Sequence, residues 1–179
     1  MGPCLFGQSE PDHLDFKSYQ RISGGYIFGG QVYNQDFEYN PGVEIQGIYG
    51  LKLSKRVSVG VGTGITILED EQFLPLFAEV NGLTSKKNNS AALSMQVGYA
   101  HGWYNGYDDV DGLEFRGGIY FDAGLGKQLF ISENISVLFR VSYRHQFAQM
   151  RFETFNNPDY KEAVHYDMLV LSIGILNFN

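Results

Sequence analysis

The side chains best able to do chemistry in this sequence are scattered, and their spacing excludes most of the chemistry they could do. Asp108, Asp109, Asp111 and Glu114 surround Gly112 and superficially resemble a calcium loop. An EF-hand with its glycine at position six would put Tyr107 at position one and Gly118 at position twelve, and neither offers a carboxylate. The stretch reads as a solvated acidic loop. His145 sits in Tyr143-Arg144-His145-Gln146-Phe147, where a lipid-modifying hydrolase would pair it with a serine and an acid. The residue two positions on is Phe147, and the nearest serine of that segment is Ser142, below it. Nucleophilic catalysis needs base and hydroxyl within hydrogen-bond reach, so no catalytic residue is assigned. The lone cysteine, Cys4, excludes a disulfide framework and a cysteine-cluster zinc site, and no metal or cofactor is expected.

The elements that must hold these residues follow from composition first. The 179 residues are 44% hydrophobic and 18% charged, with 13 Lys+Arg against 20 Asp+Glu and a net charge of −7. That length suits one domain, and the apolar share excludes a disordered chain. An acidic balance with no basic patch excludes nucleic acid as a partner. No apolar run approaches the ~20 residues of a transmembrane helix, which leaves only a β-barrel as a route across a membrane. The 22 glycines and 15% aromatic residues, with only 5 prolines, point to β-structure with close backbone contacts. Cys4-Leu5-Phe6-Gly7-Gln8 reads equally as the end of a signal peptide and as a disordered terminus. Gly2 fails the myristoylation pattern, which requires Ser or Thr where Phe6 stands. Residues 1–18 are therefore set apart from a single domain over 19–179.

From about Tyr19 onward the period is two. Val57, Val59, Val61, Thr63, Ile65 and Ile67 alternate with Ser58, Gly60, Gly62, Gly64 and Thr66. The stretch from Val43 to Leu53 alternates likewise, and the Ser54-Lys55-Arg56 turn makes the two a hairpin. Six further stretches share the period, near 19–33, 73–84, 91–103, 114–127, 134–147 and 164–178. Eight strands in sequential hairpins predict an all-β, up-and-down antiparallel barrel. The face carrying Ser94, Gln96, Gly98, Gly124 and Gly126 is too small and bare for water but suits a narrow lumen. Leu93, Met95, Val97, Phe139 and Val141 would then meet lipid, which makes the barrel a transmembrane one.

Strand parity places Arg21, Glu44, Lys52, Glu79, Arg116, Asp122, Arg140 and Arg144 in the lumen, where charges must pair across the barrel. They could gate an ion path or fill a static core. The static core is the reading adopted, because eight strands leave an interior just wide enough for side chains. With the N-terminus on the periplasmic side, the inner connections are 54–56, 85–90 and 128–134. The outer ones are 34–41, 69–72, 104–113 and 148–163, two of them long, as outer-membrane barrels have them. Tyr99, Trp103, Tyr104, Tyr143, Phe147 and Tyr166 gather towards the outer strand ends as an aromatic girdle at headgroup level. His101 and His165 lie near strand ends, where an imidazole needs no further role. Phe152, Phe155 and Tyr160 make the last outer loop long and aromatic, the expected contact surface.

Gly24-Gly25-Tyr26, Pro41-Gly42-Val43-Glu44, Leu74-Pro75-Leu76-Phe77-Ala78-Glu79 and the terminal run from Leu171 to Phe178 resemble the small eight-stranded outer-membrane β-barrel proteins. These are grouped as outer-membrane protein β-barrel domains and OmpA-like transmembrane domains. The resemblance covers nearly the whole chain from about residue 19, and its motifs specify no activity. It implies the outer membrane of a Gram-negative bacterium, outer-membrane lipid around the wall, and the barrel-assembly machinery as a partner. Phe178 would be the assembly signal, although Asn179 follows it. Leu169, Leu171, Ile173 and Ile175 do not share parity with Phe178, and a bulge near Leu176 would reconcile them. The expected role is structural or recognition-based, through outer loops that meet an extracellular protein or glycan. Two rivals stand beside it. One is a lipid A deacylase-like enzyme built on His145; the other is a soluble lipocalin-like carrier. Against the carrier, the first strand has Gly24-Gly25-Tyr26 where a Gly-x-Trp signature is needed.

Overall fold

The structure, a computed structural model, describes residues 17–33, 36–69, 71–84, 89–104, 114–154 and 157–179. These form strands β1 (Ser18–Tyr33), β2 (Asp36–Tyr39), β3 (Gly42–Lys52), β4 (Val57–Ile67) and β5 (Glu71–Leu83), followed by β6 (Asn89–Tyr104), β7 (Glu114–Phe130), β8 (Ile135–Thr154) and β9 (Asn157–Phe178). From β3 onward each strand pairs antiparallel with its successor, and β1 joins β3 on one side and β9 on the other, closing the ring. β2 is not a ninth stave. Gly30 faces Tyr39 and Ile27 faces Gly42 in one unbroken register, so β2 is the outer end of β3. The two are separated at Asn40–Pro41, where proline has no N–H to give the ladder. Asn40 N still donates to Gly29 O at 2.8 Å across that gap.

Following paired residues round the ring from Arg21 leads through Ile48, Gly62, Phe77, Gly98, Tyr120, Gln146 and Tyr166. The path returns to β1 at Gln31, a stagger of 10 residues (31 less 21). Eight staves with that stagger must tilt, and their interior is narrow. Alternation then sorts the side chains. Ile22, Ile45, Val61, Leu76, Met95, Leu125 and Ile173 lie exposed on the wall, whereas Glu44, Glu79, Gln96, Asp122 and Arg144 are buried inside. An apolar exterior around a charged interior inverts a soluble domain and suits lipid. The soluble carrier with an apolar cavity is thereby overturned. Among the described residues no helix is long and apolar enough to cross a membrane; the strands do so.

The outer connections are shorter than the sequence reading gave. Residues 36–39 extend β3, and most of 148–163 is strand. Ala148, Met150 and Phe152 alternate with Gln149, Arg151 and Glu153, so the period of two simply continues. β1 accompanies β9 only as far as the pair Val32–His165, and β7 accompanies β8 only as far as Arg151. The β8–β9 hairpin therefore continues outward beyond the ring as a two-stranded ribbon. The acidic cluster Asp108, Asp109 and Asp111 lies outside the described residues, as do Cys4, the rest of 1–16, and 85–88.

Candidate functional site

The middle of the lumen is one connected chain of polar side chains. Arg21 donates to both carboxylate oxygens of Glu79, at 2.9 and 2.5 Å. Gln96 Nε2 donates to Glu79 at 2.8 Å and to Gln46 Oε1 at 3.4 Å, and Gln46 Nε2 donates to Glu44 at 3.1 Å. Arg144 bridges onward, with Nη1 2.6 Å from Glu44 and Nε 3.1 Å from Asp122. Arg140 pairs with the other oxygen of Asp122 and donates to Ser94 Oγ at 2.6 Å, while Ser142 donates to Asp122 at 3.1 Å. Arg21, Arg140 and Arg144 are thus matched to Glu44, Glu79 and Asp122, and every one of the six is nearly fully buried. Each ion loses several kcal/mol of hydration on burial, which only close, hydrogen-bonded partners offset.

Apolar layers close the lumen on either side of this chain. Towards the outer end, Phe73 stands edge-on to Phe115 and Tyr166, at 5.5 and 5.4 Å between centroids. Ile27, Met168 and Val170 are buried with them. Glu71 is held in this layer by Asn40 Nδ2 at 2.7 Å and the Tyr166 hydroxyl at 3.1 Å. At the inner end Tyr19, Phe130 and Phe178 pack together, and Gln128 donates to Ser136 at 2.7 Å. Small voids lie among the described lumen residues. One of about 10 Å³ lies beside Tyr120 and Arg144, and one of about 20 Å³ lies at the inner mouth. A single water needs about that much space.

Of the eight charges assigned to the lumen by parity, six lie in this chain and two do not. Arg116 faces outward and pairs with Glu114 at 2.7 Å. The register of β7 against β8 shifts between Gly117 and Tyr120, and that bulge exchanges inside for outside above it. Lys52 sits half-buried at the inner mouth, its Nζ 3.4 Å from the centroid of the Phe178 ring. Phe178 itself is buried in the lumen, and the expected bulge near Leu176 is absent. The pairs Tyr19–Phe178 and Arg21–Leu176 belong to one uninterrupted ladder, so Leu176 points inward as well. The outward side chains of the last strand are Leu169, Leu171, Ile173 and Ile175. Parity puts Gln96 on the lumen face with Ser94, and Gln46 shares its face with Glu44.

On the wall, Tyr99, Tyr143 and Phe147 are exposed and Trp103 is partly so. Tyr26, Phe28, Phe37 and Tyr39 continue the band round β1 and β2. Tyr166 is not part of the band: even positions of β9 face the lumen, and it is fully buried there. The side chains of Tyr104, Phe152 and Tyr160, and the whole of Phe155, lie outside what the structure describes. His145 does find a carboxylate, with Nδ1 2.7 Å from Asp167 Oδ1, and the Tyr143 hydroxyl donates to the same oxygen. Its ring stacks on Phe121 and on His165, at 5.4 and 5.6 Å. Ser142 is on the opposite face, bonded to Asp122 in the lumen. Asp167 was missed because the facing of β9 could not be read from its sequence.

No protein-family model matches the chain, and no curated protein matches it in sequence. Solved structures do share its fold. Neisserial surface protein A superposes with a TM-score of 0.63 at 10% identity, over 89% of this chain and 96% of that one. The outer membrane protein OprG from Pseudomonas aeruginosa gives 0.61 at 9% identity, over 91% and 96%. The outer membrane protein AlkL, solved in lipid bilayers, gives 0.62 at 10% identity, over 100% and 97%. Such identities speak for the fold alone, and the wall speaks for the surroundings. With an apolar exterior, a filled polar lumen and this topology, the chain is an eight-stranded transmembrane β-barrel with the fold of those outer-membrane proteins.

Proposed function

We propose that the barrel is a structural or recognition protein of the outer membrane, acting through its outer hairpins and not through its lumen. The observation that carries this is the contrast between its two ends. The lumen is closed by paired charges and apolar layers, while β8 and β9 pair on beyond β7 and β1 as a two-stranded ribbon. Segments that project beyond a rigid scaffold are where binding residues concentrate. The partner of this reading is an extracellular protein or glycan. Replacing residues 152–160 by a short Gly-Ser turn is expected to leave heat-modifiable gel mobility intact and to abolish binding of cells to protein-coated or glycan-coated surfaces. Undiminished binding by the shortened barrel would refute the role. Assembly through Phe178 belongs to the same reading: Phe178→Ala is expected to lower insertion in cells more than unaided refolding in detergent.

A further inference from the structure

We propose that the outer wall of β7, β8, β9 and β1 carries a specific site for an anionic phospholipid of the inner leaflet, with Lys127 as its phosphate anchor. The inference rests on the membrane reading above. A groove of about 740 Å³, open along the wall, runs across these four strands. Leu125, Phe139, Val141 and Ile173, all on the lipid-facing side, line it, and Tyr26 closes its outer end. Gly24 faces outward beside them, and a Cβ there would meet only Glu44 O, at 3.8 Å. The depression exists partly because that position has no side chain.

Two charged residues line this groove: Arg140, whose side chain turns into the lumen to Asp122 and Ser94, and Lys127, exposed on the wall three residues from the inner end of β7. Among the described residues it is the one charged side chain on the outward face between Asp167 and the inner turns. A lysine on an apolar wall extends its ammonium towards the nearer headgroup layer. From Lys127 the groove rises along the wall to Tyr26, towards the middle of the bilayer. An inner-leaflet phospholipid has that arrangement, with its phosphate at the rim and its acyl chain above. Charge complementarity selects an anionic headgroup, and a cation near the membrane surface favours one by about fivefold.

The test uses the full chain, refolded in vesicles of phosphatidylethanolamine and phosphatidylglycerol, extracted in mild non-ionic detergent and weighed by native mass spectrometry. The wild type is expected to retain one phosphatidylglycerol. Lys127→Gln should lower that occupancy about fivefold, and Gly24→Leu should do the same by filling the groove. Gly47→Leu, which fills a second wall depression that has no lysine, should change nothing. Equal retention by the wild type and Lys127→Gln, or equal loss in Gly47→Leu, would reduce the lipid to an unspecific annulus and overturn the site. If Gly24→Leu does not fold, Lys127→Gln and Leu171→Ala decide. Heat-modifiable mobility is followed in parallel: its loss in the wild type would defeat the membrane reading, whereas lost selectivity in a folded barrel defeats only the site.

Discussion

Arg21 and Glu79 lie 58 positions apart and meet with both side chains buried, so removing one is a different experiment from removing both. Glu79→Gln leaves Arg21 buried without its carboxylate and is expected to cost about 3–5 kcal/mol. Arg21→Met with Glu79→Met removes both charges and is expected to recover to within about 1 kcal/mol of the wild type. Urea titration of the barrel refolded in lipid reads both. A double variant as unstable as the single one would show that the pair is worth more than its own desolvation. On the wall, His145 and Asp167 supply a base and its orienting acid, but no serine lies on their face of β8. Purified barrel should therefore release no fatty acid from lipid A or phospholipid above the level of His145→Ala. Hydrolysis lost in that variant would restore the deacylase-like reading. Parity in the sequence was enough to find the six charged members of the lumen chain, because burial forces every second residue to one side. It failed at Arg116 because a bulge inserts one residue and reverses the count. Gly117-Gly118 was the available sign, since glycine inside a strand often marks a bulge.

Neighbouring strands show the same logic at the level of the element. Gly47 on β3 and Gly62 on β4 both interrupt strand interiors, yet they face opposite ways. A Cβ at Gly47 meets nothing within 4 Å, whereas one at Gly62 lies 2.5 Å from Phe77 Cζ. Gly47→Ala is expected to be neutral or stabilising by up to about 1 kcal/mol, through the lost backbone freedom of glycine. Gly62→Ala is expected to destabilise by about 1–3 kcal/mol, because Phe77 must move in a packed lumen. Denaturant midpoints of the two variants check the sign, and like signs would mean that the facing of β3 and β4 is misassigned. The existence of all eight staves was legible from the period of two, although β8 runs on past Ala148, where the sequence reading placed a loop. Strand ends were less so. Polar turn formers at Asn156-Asn157-Pro158 looked like a loop until pairing with β8 carried β9 to Asn157. The facing of β9 was illegible for a different reason. Leu176 and Phe178 are as apolar as Leu171 and Ile173, so hydropathy cannot tell a lumen plug from a lipid-facing wall.

Closure and stagger belong to the whole molecule, and a single sequence carries them least. The stagger of 10 places Arg21 against Glu79, and Arg144 between Glu44 and Asp122, although nothing local in those segments names a partner. Once closed, the lumen has two barriers in series. The three arginines and three carboxylates of the lumen chain balance in formal charge and are tied to one another, and beyond them Phe73, Phe115 and Tyr166 pack edge to edge. Purified barrel in planar bilayers is therefore expected to show no steady conductance above the bare membrane. Converting Arg21, Glu44, Glu79 and Arg144 together to serine hydrates the middle of the lumen but leaves the apolar layer in place, so that variant should also stay closed. Adding Phe73→Ala and Phe115→Ala removes the second barrier, and only this combination should conduct. Steady current through the wild type would make the charges a gate and not a core. Current through the serine variant alone would mean that the aromatic layer opens on its own, and the outer half of the lumen would then be the moving part.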